Sequence, residues 1–148
     1  MNKKKSFEYQ LELNFQNHFK KKIKSSCFSL SNNKIPPKKS RGWFYVLGNA
    51  SYRDHLYKLG ITGSSVDERM KKLHDTGVPE KFYKILEVNI CNPIIFENRI
   101  HQLFHRYRIG NDREFFKIDI NVLAPQVRDY LKTHPEFEPV NFWDRLPD

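Results

Sequence analysis

Hydrophobic and polar positions alternate without a break over residues 7–15 (FEYQLELNF), with Phe7, Tyr9, Leu11, Leu13 and Phe15 on one side. A period of two predicts a half-buried strand. Phe7, Leu11, Phe15, Phe19 and Ile23 are also spaced by four, so a helix stays open, and the favoured reading is a strand passing into a helix near Phe15. Residues 24–41 combine Ser, Asn, Lys and a Pro-Pro pair, the composition of a linker. Beyond it, Trp43–Leu47 (WFYVL) and Leu56–Ile61 (LYKLGI) are rich in aromatic and branched residues and predict two strands, joined as a hairpin by an eight-residue connection.

Ser65, three residues before Glu68, forms a capping-box pattern ahead of the stripe Val66, Met70 and Leu73, which predicts a helix to about Asp75. Thr76-Gly77-Val78-Pro79 stops it, and Phe82–Ile90 predicts a third strand. Asn92 as cap and Pro93 at the first helical position precede Phe96, Ile100, Leu103, Phe104 and Tyr107 at helical spacing. Arg113–Ile118 predicts a short strand, and Val122–Thr133 a last helix with Pro125 in its first turn.

The order strand, strand, helix, strand, helix, short strand, helix predicts an α+β domain in which helices cover a small sheet. It divides the chain into a basic N-terminal arm and linker (1–41), a folded domain (42–134) and an irregular C-terminal tail (135–148).

The 148 residues suffice for one core, and 39% apolar with 29% charged residues is a globular composition. The net charge of +9 changes the picture only locally. Residues 1–41 hold eleven Lys and Arg against two Glu and carry all of it, whereas residues 42–148 hold fifteen of each sign. No run is long and apolar enough for a membrane span, so an intracellular location without membrane contact is expected. Cys27 and Cys91 are too few for a disulfide framework or zinc site.

Glycine patterns for phosphate loops or dinucleotides are absent, as is a His-Glu-x-x-His zinc motif. Glu97, His101 and His105 recur at i, i+4 and i+8, either as a solvated helix flank or as a carboxylate and imidazoles aimed over the sheet. Lys58 interrupts an apolar strand beside Gly60, either as an edge-strand charge or as a functional one, and Arg69 stands one position from Met70.

Taken in order, Trp43-Phe44-Tyr45-Val46-Leu47, Tyr57-Lys58-Leu59-Gly60-Ile61-Thr62, Arg69, Thr76-Gly77-Val78-Pro79, Glu97 with His101, and Arg113-Glu114-Phe115-Phe116 resemble the GIY-YIG nuclease superfamily. The resemblance is to its compact phage and meiotically-up-regulated branch, with a Lys-Leu-Gly second motif, and spans about residues 42–120. It implies a small central antiparallel sheet flanked by helices. It also implies a DNA endonuclease dependent on Mg²⁺ or Mn²⁺, acting on double-stranded or branched DNA in a phage, mobile-element, repair or recombination setting. Tyr45 then matches the first-motif tyrosine, Arg69 the helix arginine and Glu97 the metal-binding glutamate. Lys58 stands where many relatives carry a second tyrosine, and Trp43 replaces a glycine.

His101 would assist or position Glu97, while Tyr57, Gly60 and Glu114 are site-adjacent; Asn111 lies near the region where relatives often carry an asparagine. On this reading Lys20, Lys21, Lys22, Lys38, Lys39 and Arg41 tether nucleic acid. Two rival readings keep the domain without the chemistry: an inactive nucleic-acid-binding module, and a protein-interaction domain with a basic arm.

Overall fold

The computed structural model describes residues 40–74, 78–110 and 114–146. The proposed arm strand and helix, Lys20, Lys21, Lys22, Lys38 and Lys39, and Asp75, Asn111 and Arg113 lie outside the described residues.

Strands β1 (Arg41–Asn49), β2 (Leu56–Thr62), β3 (Phe82–Cys91), β4 (Phe115–Lys117) and β5 (Val140–Asp144) form one antiparallel sheet in the order β4-β2-β1-β3-β5. Helices α1 (Val66–His74), α2 (Pro93–Leu103) and α3 (Ile120–Thr133) complete an α+β domain. The continuous apolar run of β1 fits its central place, because both of its faces are covered. Phe44 and Val46 join Leu86, Val88 and Ile90 beneath Phe96 and Ile100 of α2 and Leu123 and Val127 of α3. Tyr45 and Leu47 point the other way, into a smaller cluster with Val66 of α1 and Phe82, against which Trp43, Met70 and Leu73 pack. The Ser65 hydroxyl accepts from the Glu68 N–H at 3.2 Å and starts α1 as the capping pattern predicts.

Four expectations change. Lys58 is no edge-strand charge: β4 pairs alongside β2, and Lys58 is 8% exposed. Asn92 does not cap α2 with its side chain; it turns the chain in a left-handed conformation (φ 52°), with Pro93 opening the helix. Asp119 caps α3 instead, its carboxylate accepting from Asn121 N at 2.8 Å. The earlier start moves Pro125 out of the first turn and into the helix. The tail from 135 onward is not irregular. A 3₁₀ turn, Pro135–Phe137, buries Phe137 edge-on against Phe96 at 5.0 Å, and β5 then pairs with β3. A left-handed Asn141 (φ 52°) lies where the register of β5 against β3 shifts, between Val140 and Trp143. Among the described residues no helix is long and apolar enough to cross a membrane.

Candidate active site

β4 is three residues long, so it leaves β2 before that strand ends. The last bond of their ladder runs from Leu59 N–H to the Glu114 carbonyl at 3.0 Å. The Leu59 carbonyl, on the same edge, accepts from Nε2 of His101 at 3.2 Å. α2 is thereby tied to the strand edge that β4 vacates, and Glu97, one turn earlier on α2, comes with it. The solvated-flank reading fails for this pair, whose side chains are 17% and 11% exposed. His105 leaves the stripe, exposed in a 3₁₀ turn, His105–Tyr107.

Lys58 reaches the same edge. Its Nζ lies 2.5 Å from Oε2 of Glu114 and 5.5 Å from the centre of the Phe115 ring. Burial pushes the Glu97 carboxyl up to about 7, the nearby Glu114 charge adds to the rise, and Lys58 and Arg108 oppose it. Burial also pushes His101 below the usual imidazole range, against the opposing effect of its bond to Leu59. His101 is therefore a neutral imidazole at neutral pH, with its Nε2 proton committed to a backbone carbonyl.

Tyr45 pairs directly with Gly60 across the β1–β2 ladder, and its ring occupies the space a side chain would fill. A Cβ on Gly60 would lie 2.6 Å from the Tyr45 hydroxyl oxygen, so glycine is required there. Nε of Arg69, from α1, donates to that oxygen over 3.5 Å, a long bond. Tyr45 and Lys58 share one face of the hairpin, being in register with Gly60 and Leu47.

Arg41 changes place, and Tyr57 falls on a different face from Lys58. Tyr57, next in sequence to Lys58, faces the opposite side of the sheet, where it packs on the larger core and its hydroxyl is pushed up chiefly by burial. Arg41 is held by the fold, donating to Asn89 Oδ1 at 2.7 Å and to the Glu138 carbonyl at 2.8 Å, which removes it from the arm. Sequence reasoning missed Arg108, which acts electrostatically on both Glu97 and His101, and it understated Glu114, the ion-pair partner of Lys58. The only signal for Arg108 was its place in the basic run between the helix and the closing Arg-Glu-Phe-Phe motif.

Two carboxylates, a lysine and an arginine interact at one strand edge of a small antiparallel sheet, and Tyr45 and Arg69 bond to each other on the face that Lys58 shares. The chain belongs to the T5orf172 domain family, whose model matches residues 42–132, a phage-associated endonuclease domain family of GIY-YIG-like or HNH type, and this makes it a nuclease-like nucleic-acid-binding domain. It is also 25% identical over 95 residues to "Uncharacterized protein 460R" of Invertebrate iridescent virus 6, an alignment covering 63% of this chain and 42% of that protein. The chain thus spans about two-fifths of that relative's length. No solved structure is a significant match.

Proposed function

We propose that the domain is a metal-dependent DNA endonuclease that hydrolyses phosphodiester bonds, with Glu97 holding Mg²⁺ or Mn²⁺, Arg69 stabilising charge on the phosphate, and Tyr45 and Lys58 acting on the attacking water. The observation that carries this reading is the state of Glu97. It is a largely covered carboxylate whose pKa is raised to about 7. Its one ion-pair contact among the described residues is His101, 4.0 Å away and itself disfavoured as a cation. Lys58 and Arg108 act on it only from a distance, and a covered carboxylate with no Lys or Arg paired to it directly among the described residues suits a divalent cation.

The residues fit such an ion. Mg²⁺ keeps several waters and needs one or two carboxylates rather than a full protein cage. Glu97 would be the first and Glu114, whose charge acts on it, would supply the second through the oxygen that does not face Lys58; among the described residues no group of three or more His, Cys, Asp or Glu forms a cage. When bound, the ion supplies Lewis acidity toward a phosphate oxygen.

The remaining steps belong to the chain. Arg69 presents a planar fork of donors to the charge that builds on the phosphate, and its Nε bond to Tyr45 ties that fork to the hydroxyl beside it. Lys58 is clamped to Glu114, and an ammonium paired with a carboxylate donates rather than accepts. Its contribution is to orient the water and supply positive charge, while the Tyr45 oxygen accepts a hydrogen bond from the water. The water's proton leaves to solvent as the new O–P bond forms, and the old one breaks to an alkoxide that takes a proton from solvent. His101 positions Glu97 through its bond to Leu59.

Supercoiled plasmid incubated with Mg²⁺ tests this reading. The protein should nick or linearise it, EDTA should stop the reaction, and Glu97→Ala should still shift DNA in a gel while losing at least about a hundredfold in cleavage. Full cleavage by Glu97→Ala would remove the metal role. Binding without cleavage by the unaltered protein would instead favour an inactive nucleic-acid-binding module.

A further inference from the structure

Arg108 has no place in the steps above, yet the fold fixes it beside them. Its backbone bridges to Phe116, and Ile109 N–H donates to the Phe115 carbonyl at 2.8 Å, so residues 108–109 extend the sheet beyond β4. Directly opposed residues in such a bridge share a face. Phe116 faces the larger core, so Arg108 rises on the side of the sheet that carries α2. Its guanidinium carbon lies 5.9 Å from the centre of the Phe116 ring, and the His101 ring stands 5.1 Å from the same ring. Phe116 is a shared floor for the cation and the imidazole that positions Glu97. A guanidinium also carries a planar fork of N–H donors, the shape that matches a phosphate.

The two arginines therefore bracket the site from different layers. Arg69 comes from α1 on one face of the sheet, and Arg108 comes from beyond the β4 edge on the other. Between them lies the edge of β2 that β4 leaves unpaired. A nucleic-acid strand crossing that edge with one phosphate held by Glu97 and Arg69 would have its neighbouring phosphate within the field of Arg108, which already acts on Glu97. We infer that Arg108 binds the phosphate neighbouring the one that is cut, and so holds the strand in register across the site. This deepens the endonuclease reading and rests on it.

The test uses the full chain and a duplex oligonucleotide carrying a mapped cut, with a methylphosphonate placed in turn at each phosphate flanking that cut. Arg108→Ala should raise KM about tenfold, the loss of one charge-assisted contact, while kcat at saturating DNA falls less than about threefold. Its log-log salt dependence of binding should become shallower by about 1. One methylphosphonate position should raise the KM of the unaltered protein to the same extent and leave Arg108→Ala unchanged, because both remove the same contact. Arg108→Lys keeps the charge without the fork and should recover part of the affinity; it carries the comparison if Arg108→Ala fails to fold.

A collapse of kcat with KM intact overturns the inference, and so do methylphosphonate effects that are equal in variant and unaltered protein at every position. Normal cutting by both proteins at the same KM defeats this inference alone. Failure of the unaltered protein to cut any DNA defeats the endonuclease reading beneath it.

Discussion

With a pKa of about 7, Glu97 is roughly half protonated at neutral pH, and that state has a consequence for stability. The unfolded carboxyl releases its proton near 4.5, whereas the folded one holds it until about 7. Between those values the folded state binds more protons, so raising the pH favours unfolding. The full shift corresponds to about 3 kcal/mol, and water reaching the outer part of the group discounts this to about 1–2 kcal/mol. Glu97→Gln should therefore melt higher than the unaltered protein at pH 8 in EDTA, by about 1–2 kcal/mol, and the two should converge below pH 4.5. Parallel melting curves across that range would show that Glu97 carries no such penalty.

The Lys58–Glu114 pair predicts an asymmetry of another kind. Lys58 is 8% exposed, while the Glu114 side chain is 41% exposed. Removing the carboxylate strands a buried ammonium, whereas removing the ammonium leaves a carboxylate that water can reach. Glu114→Gln should cost about 2–3 kcal/mol by denaturant unfolding, and Lys58→Met less than about 1 kcal/mol. In activity the order should differ. Lys58→Met should lose at least about a hundredfold in cleavage, since the donor itself is gone, and near-normal turnover would reduce Lys58 to a structural charge.

At the scale of elements, the C-terminal strand is the part whose contribution was hardest to see. Phe137 anchors it: the ring is 2% exposed and meets Phe96, which sits one residue before Glu97 on α2. Phe137→Ala should cost about 3–5 kcal/mol in unfolding free energy, the usual range for an emptied aromatic site, and a smaller loss would mean that the last strand frays without consequence. The sequence concealed this because Pro135 and Pro139 fall at the margins of the 3₁₀ turn and the adjacent Phe142 and Trp143 interrupt the period of two. Where periodicity ran unbroken, from β1 through α2, element type and order could be read directly. Pro125 misled for a related reason, since the helix is started by Asp119, a cap that lies before the first apolar residue of the stripe. The site divided along the same line. Spacing on one helix put Glu97 with His101, whereas Tyr57 was kept beside Lys58 by its place in the motif although the two lie on opposite faces of β2. The convergence of Lys58, Glu114 and Arg108 depends on where β4 ends, a tertiary fact with no local signature.

Over the whole molecule the charge is lopsided, and the placement of Arg41 sharpens where the division falls. Arg41 begins β1 and bonds to Asn89 on β3 and to Glu138 before β5, so it belongs to the folded domain. Residues 1–39 still carry ten lysines against two glutamates, ahead of a body that is close to neutral. If those lysines neutralise about six phosphates, binding should fall with a log-log salt slope of about −5, because each contact releases counterions. A chain lacking residues 1–39 should bind duplex DNA with a slope shallower than about −2, yet cut at saturating DNA within about threefold of the full chain. A deletion carried through Arg41 should also melt lower, since it removes the clamp on β3 and Glu138. Fluorescence anisotropy from 50 to 200 mM salt reads the slope, and single-turnover cleavage reads the chemistry. An unchanged slope would move the electrostatic tether from the arm to the folded domain, and to more of its cations than Arg69 and Arg108, which account for only about −2.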